Sequence, residues 1–386
     1  MADKKKVLML ATTAAMSAQF NINNILILEE MGYEVHVAGN FRKGNPIPDK
    51  AIRDFYKWVK EHGGKCFQIP STRKVYDIIN NYVALKKIIK LIKTEKYSFI
   101  HCHTPIGSVI GRLAAKKTGT PIIYTAHGLH FFKGSPLSSW IVFYPVEKYL
   151  SKFTDVMVLI NHEDYNLVNK KFHAKRVVIV PGIGIDTKEI ARHADSRVRI
   201  REELGLKEED FFLLSVGELS GRKNHETIIK AIHQLDRSDI KYFIAGKGMG
   251  KDNEEDELKR LIVDYDLQDR VRLLGFREDV NDLYAAADAV AFPSRREGLG
   301  LAGIEAMAAG LPIITSNING INEYSVNGET GFSYGPEDVD GFADGIEYLA
   351  DHPEWCESVG RKNIVRAEKY DYHYANSIMK ELYESM

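Results

Sequence analysis

The chain is poor in the features that mark secreted or membrane-spanning proteins. Its three cysteines, Cys66, Cys102 and Cys356, are odd in number and scattered over 386 residues. That pattern argues against a disulfide framework and for a reducing cytosol. No apolar run reaches the roughly 18 residues a membrane helix needs. No short fixed-period repeat or low-complexity segment is present. The opening, MADKKKVLMLATTAAM, has the basic end and short apolar stretch of a secretory signal. VLMLA reads better as a first buried strand.

What is present describes an ordinary soluble globular protein, 44% hydrophobic and 27% charged. A chain of 386 residues exceeds what one hydrophobic core usually holds, so two domains are expected. The net charge of −1 hides an asymmetry. Residues 1–185 carry 27 Lys and Arg against 13 Asp and Glu, a net +14; the remainder carries 25 against 40, a net −15. The basic half suits an anionic partner, although mutual attraction of the halves is the simpler alternative.

Apolar, β-rich runs alternate with helical patterns throughout. Strands are expected at Val7–Ala11, Tyr33–Ala38, Lys65–Ile69, Phe99–His103, Pro121–Ala126, Asp155–Ile160 and Val177–Val180. A second series follows at Phe211–Gly217, Lys241–Ala245, Val271–Leu274, Ala289–Pro293 and Pro312–Ser316. Apolar positions three and four apart predict a helix over Val75–Lys96. Such alternation means parallel sheets covered by helices on both faces, here twice over: an α/β protein with two Rossmann-like, doubly wound domains. PGIGID, 181–186, is the expected hinge, dividing the chain into 1–185 and 186–368. A central cleft between the two domains would receive ligands at the carboxyl ends of the strands.

The stretch SRREGLGLAGIEAMAAGLP, 294–312, is the most informative. A strand ends at Pro293, REGLGL turns, and AGIEAMAAG forms a helix stopped by Gly310. Gly298 and Gly300 let backbone N–H groups approach a ligand closely, and a helix N-terminus favours phosphate. Glu297 in the turn can accept hydrogen bonds from sugar hydroxyls, and Glu305 on the helix's second turn can hold the two hydroxyls of a ribose. Together they read as a nucleotide-sugar clamp. The bland alternative is a capping Glu and a solvated Glu.

The wider context favours the clamp. EAMAAGLP, NGINEYSVNGETGF, FIHCHTPIGSVIGRLAAKKTGTPIIYTAHGLHFF, VVIVPGIGID, LLSVGELSGRKNHETIIKAI and GFREDVNDLYAAADAVAFPSRREG occur in an order that resembles the retaining glycosyltransferases of the GT-B fold, family 4. The resemblance spans nearly the whole chain. It implies that Glu297 binds the donor sugar, that Glu305 binds the ribose, and that His127 lies against the donor sugar near the reacting carbon. It also implies a C-terminal helix, 369–386, that crosses back to the first domain. In VGELSGRKNH, 216–225, Lys223 keeps the family's lysine position, while Glu218 stands where the family usually has Arg. Arg222 is the candidate replacement, so Lys223 and Arg222 are expected at the diphosphate. Gly217, Arg277, Gly298, Gly300 and Leu301 are placed with the donor set, and Ser17 and His103 on the acceptor side.

Other patterns weigh less. His101, Cys102 and His103 invite a metal reading, but alternation on a strand turns Cys102 away from both histidines. Asp264–Tyr265–Asp266 matches a metal-holding Asp-x-Asp, yet it ends an amphipathic helix where surface acids are unremarkable. No metal and no cofactor are expected, the cations replacing a divalent ion at the leaving diphosphate. The segment 128–153 mixes aromatics with Lys133, Lys148 and Lys152, and ALKKIIKLIKTEK, 84–96, is a basic amphipathic helix. With the basic half, these point to an anionic membrane surface; no nucleic-acid module is evident.

The reading is a metal-independent retaining hexosyl- or N-acetylhexosaminyl-transferase, cytoplasmic and peripheral on the inner membrane face. Its expected partners are a nucleotide-sugar donor, a UDP-sugar, and a lipid-diphosphate-linked sugar acceptor in cell-surface polysaccharide assembly. Another GT-B enzyme, an epimerase or phosphorylase, and an inactive binding subunit of a transferase pair are the rivals.

Overall fold

The structure, a computed structural model, describes residues 4–248 and 254–386; the first three residues of the opening stretch lie outside these. The chain divides into two compact units, one of residues 1–183 with 373–386, the other of residues 184–372. The sequence reading placed its divisions at 185/186 and 368/369.

The first unit runs β1 (Lys6–Thr13), α1 (Ala14–Phe20), α2 (Ile22–Glu30), β2 (Glu34–Asn40), α3 (Asp49–Glu61), β3 (Lys65–Gln68), α4 (Ile78–Glu95), β4 (Phe99–His103), α5 (Pro105–Thr118), β5 (Ile122–Ala126), α6 (Leu137–Ser151), β6 (Val156–Leu159), α7 (His162–Lys171) and β7 (Arg176–Ile179). Its seven strands form one sheet in the order β3-β2-β1-β4-β5-β6-β7, all parallel. Alternating side chains explain the two helical layers. Leu8 and Leu10 of β1 pack with Ala84, Ile88, Ile110 and Ala114 of α4 and α5. Val7 and Met9 face the other way, toward Ile25, Leu28, Phe55 and Val59 of α2 and α3. VLMLA is therefore a buried interior strand, as its apolar run suggested.

The second unit runs α8 (Thr187–Arg192), α9 (Arg197–Leu204), β8 (Phe211–Val216), α10 (His225–Gln234), β9 (Ile240–Ala245), α11 (Glu254–Asp264), β10 (Val271–Gly275), α12 (Val280–Ala286), β11 (Ala289–Phe292), α13 (Leu301–Ala308), β12 (Ile313–Ser316), β13 (Gly331–Tyr334), α14 (Val339–Asp351) and α15 (Pro353–Ala367). Its six strands lie in the order β10-β9-β8-β11-β12-β13, again all parallel. The last helix, α16 (Tyr372–Glu384), puts Ala375, Met379, Leu382 and Tyr383 into the core of the first unit.

Two expectations are corrected. The predicted helix over Val75–Lys96 starts at Ile78, because the Asp77 side chain accepts a hydrogen bond from the Asn80 N–H and caps it there. The edge strand β13 was not foreseen: GFSY has too little apolar character to signal a strand. Among the described residues, no helix is long and apolar enough to cross a membrane.

One buried ion pair ties α6 to α5. Arg112 is fully buried, with a guanidinium nitrogen 2.8 Å from Glu147 and its plane over the Tyr124 ring at 4.4 Å. Its Nε and Nη2 donate to the Ser108 carbonyl and hydroxyl. Removing one partner strands the other charge in the core. Glu147→Ala should therefore lower unfolding free energy by about 3–5 kcal/mol. An Arg112→Met/Glu147→Leu double variant should recover most of that loss in urea denaturation.

Candidate functional site

In each sheet the strand order reverses between two neighbouring strands, and ligands of such folds sit at the carboxyl ends there. In the second unit these strands are β8 and β11. β8 leads into the turn 217–224 and β11 into the turn 293–300. The two turns are sewn together. The Arg295 N–H donates to the Arg222 carbonyl at 2.8 Å, and the side chain of Asn224 donates to the Pro293 carbonyl at 3.0 Å. Asn224 itself sits in the left-handed region at φ +60°.

This junction gathers residues far apart in sequence around Glu297. Its Oε1 receives Lys223 Nζ at 2.8 Å, Arg222 Nη1 at 2.8 Å and Ser294 Oγ at 3.1 Å. Both Glu297 and Lys223 are nearly buried, with side chains 11% and 12% exposed. Burial pushes the Glu297 carboxyl up, but Lys223 and Arg222 more than offset this and hold it below the usual carboxylate range. The lysine stem passes Gly217, where an added Cβ would lie 3.1 Å from Lys223 Cε, and its ammonium rests over the Phe292 ring at 4.4 Å. The second guanidinium nitrogen of Arg222 lies 3.7 Å from Glu218. Arg222 thus spans two acids.

Gly300 opens α13 at φ +85°, and a Cβ there would come within 2.6 Å of the Phe292 ring. The turn needs glycine for both reasons. Gly320 is the glycine required next to Gly298: a Cβ on Gly320 would meet the Gly298 carbonyl at 2.2 Å. Leu301 is the first residue of α13, and Glu305 follows one turn on. Glu305 accepts from the Tyr284 hydroxyl at 3.1 Å. Burial pushes its carboxyl above the usual range; the Tyr284 bond and Lys223 draw it down only in part. The two glutamates of one motif are thereby pushed apart.

Arg277, expected in the donor set, has its guanidinium bonded to Asp279 at 2.7 and 2.6 Å and to Glu203 at 2.9 Å. No described contact joins it to the Glu297 group. Ser294, Tyr284 and Phe292 complete the site and were not singled out from sequence. Ser294 stood in the quoted motif, but its bond to Glu297 depends on the path of the turn. Asp264 is the last residue of α11, and Asp266 follows in the left-handed region at φ +53°. Among the described residues, no group of three or more His, Cys, Asp or Glu side chains is arranged to hold a metal ion.

In the first unit, β4 ends at His103 and β5 leads directly into His127. The rings of His101 and His103 lie on one side of β4, 4.2 Å apart, while the Cys102 thiol turns away to the Ile123 carbonyl. His103 and His127 meet at 3.1 Å and border a pocket with Phe20, Asn23, Asn24 and Asn376. Burial holds His127 low, at about 4, and His101 at about 3. Ser17, in α1, is fully buried, and its hydroxyl has no hydrogen-bond partner among the described residues.

Comparisons with known proteins agree with this architecture. Residues 6–161 match the family model described as Glycosyl transferase 4-like, and residues 196–366 that of Glycosyl transferases group 1. A putative glycosyltransferase of Bacillus subtilis, EpsD, is 32% identical, covering 99% of this chain and 97% of that protein. The UDP-Gal:alpha-D-GlcNAc-diphosphoundecaprenol alpha-1,3-galactosyltransferase of Escherichia coli is 29% identical over 74% of this chain and 75% of its own. A crystal structure of Anabaena Alr3699/HepE in complex with UDP superposes with a TM-score of 0.80, at 18% identity, covering 99% of this chain and all of that one. Two all-parallel sheets, both halves matched by glycosyltransferase models and a full-length relative lead to one assignment: this chain is a GT-B glycosyltransferase of family 4.

Proposed function

We propose that the chain transfers a sugar, with retention of configuration, from a UDP-sugar to a lipid-diphosphate-linked acceptor during polysaccharide assembly. The observation that carries this reading is the Glu297 cluster. Two cations converge at the mouth of a glycine turn beside a helix N-terminus, where a diphosphate finds donors and a sugar finds a carboxylate. Lys223 uses one of its three N–H donors on Glu297, and Arg222 has donors to spare. Both can therefore reach a phosphate oxygen while still fixing the carboxylate. The Escherichia coli relative, named for a UDP-galactose donor and a diphosphoundecaprenol acceptor, supports the substrate class.

In the reaction, the bond from the sugar's anomeric carbon to the diphosphate oxygen breaks. The acceptor hydroxyl forms its new bond on the same face, and its proton passes to the departing phosphate oxygen. No side-chain acid/base pair is required, since Glu297 and Glu305 both serve the donor. Lys223 and Arg222 stabilise charge as it grows on the diphosphate, and no metal ion takes part.

The first unit supplies the acceptor side and the membrane contact. The outer face of α6 exposes Leu137, Ile141, Val142, Val146 and Tyr149, the first two at 73% and 66%. Val75, Tyr76, Ile78 and Ile79, at the start of α4, are exposed as well. Apolar side chains flanked by lysines suit the headgroup region of an anionic bilayer. They give the basic half an apolar counterpart.

Three outcomes test this reading. Glu305→Ala should weaken UDP binding by roughly 1.5–3 kcal/mol, the worth of hydrogen bonds to a charged group, in titration calorimetry. Glu297→Ala should leave UDP binding intact or tighter, because two cations are released to the diphosphate, while turnover falls. Weak UDP binding by Glu297→Ala with normal binding by Glu305→Ala would reverse the assigned roles.

Transferase activity should survive EDTA, and Lys223→Ala should lose about two orders of magnitude in kcat, the scale for removing one charge-stabilising donor. Loss in EDTA with recovery in Mn²⁺ would refute the metal-free route.

Binding to anionic vesicles should be salt-sensitive, and neutralising Lys86, Lys87, Lys90 and Lys93 together should weaken it by up to about 1 kcal/mol per lysine. Co-sedimentation with anionic and neutral vesicles at low and high salt measures this. Equal, negligible binding to both would assign a soluble acceptor.

A further inference from the structure

Three side chains of the first unit form a directed chain of contacts. Met9 Sδ lies 3.2 Å from His103 Nε2, and His103 Nδ1 lies 3.1 Å from His127 Nε2. Met9 and His103 are buried; His127 is half-buried at the pocket edge. A neutral imidazole carries one N–H and one lone pair, while a thioether accepts only. Burial keeps both rings neutral, His103 far below its ordinary value and His127 at about 4.

The hydrogens then follow. His103 must place its N–H on Nε2, because a lone pair there would face the sulfur lone pairs at 3.2 Å. Its Nδ1 is therefore an acceptor, so His127 donates from Nε2. The lone pair of His127 is left on Nδ1, an atom that no described residue bonds and that is not among the buried, unpartnered polar atoms. His101 imposes no competing direction. It bonds the hydroxyls of Tyr383 and Thr125, both at 2.8 Å, and a hydroxyl can donate or accept.

We infer that Met9 and His103 are positioning residues that hold His127 as its Nε2–H tautomer, so that the Nδ1 lone pair selects a hydroxyl donor in the first unit's pocket. The opposite tautomer would present an N–H there and favour a phosphate or carbonyl oxygen. That the hydroxyl belongs to a sugar rests on the transferase reading; the tautomer does not.

The test is long-range 1H–15N correlation on full-length protein labelled with 15N-histidine, without any substrate, at about pH 7. The two rings are assigned from spectra of His103→Asn and His127→Gln. Both should show a pyridine-like Nδ1 and a pyrrole-like Nε2. Met9→Leu keeps the side-chain volume but removes the acceptor. It should convert His127 from one tautomer to a mixture, with the ring still neutral. An Nδ1–H signal for His127 in the unsubstituted protein would overturn the inference. So would a single, unchanged tautomer in Met9→Leu, even if activity fell, because packing alone would then explain the loss. Since the spectrum uses neither donor nor acceptor, a wrong substrate assignment leaves this result standing.

Discussion

One carboxylate oxygen under two cations organises the second unit. Glu297 Oε1 is shared by Lys223 and Arg222, and the two cations outweigh burial and hold its carboxyl below the usual range. Much of the local architecture serves that contact. Gly217 clears the lysine's path, Phe292 floors it, and Asn224 locks the turn after β8 to the end of β11. Lys223 and Arg222 are balanced by Glu297 and the more distant Glu218, yet both cations keep N–H donors to spare beside the N-terminus of α13. Such a cluster is stable without a ligand and still attractive to an anion. Its electrostatics are set before binding, which is where preorganised charge is most effective.

The same motif shows how environment, rather than residue type, assigns roles. Glu297 and Glu305 are both mostly buried, and burial raises both carboxyls. Two nearby cations reverse that effect for Glu297. For Glu305 a tyrosine hydroxyl and the lysine fall short of it. A turn residue is left firmly ionised, and a helix residue is left more easily protonated, eight positions later. Position relative to the β8–β11 junction decides the difference.

The parallel sheets were legible in the sequence because strands covered on both faces are nearly continuous apolar runs, as in VLMLA and AVAF. Phe99–His103 was placed to the residue, and most other ends shifted by one or two. GFSY failed because an edge strand flanked by turns carries no such run. The donor motif was legible from glycine, glutamate and helix spacing. Its wiring was not: Lys223 and Glu297 are 74 positions apart, and only the sheet's strand order makes them neighbours. The pairing of Arg277 with Asp279, two residues on, was likewise not read from the sequence.

The first unit handles charge differently. Its formal excess is basic, yet the side chains crowded at the ends of β4 and β5 are histidines that burial keeps neutral. The buried guanidinium of Arg112, with its carboxylate partner Glu147, holds α6 to α5. Anchored through Glu147, α6 packs Trp140, Phe143 and Tyr144 inward while leaving Leu137, Ile141 and Val142 in solvent. An apolar face of that size is costly in water and needs a rigid support to persist.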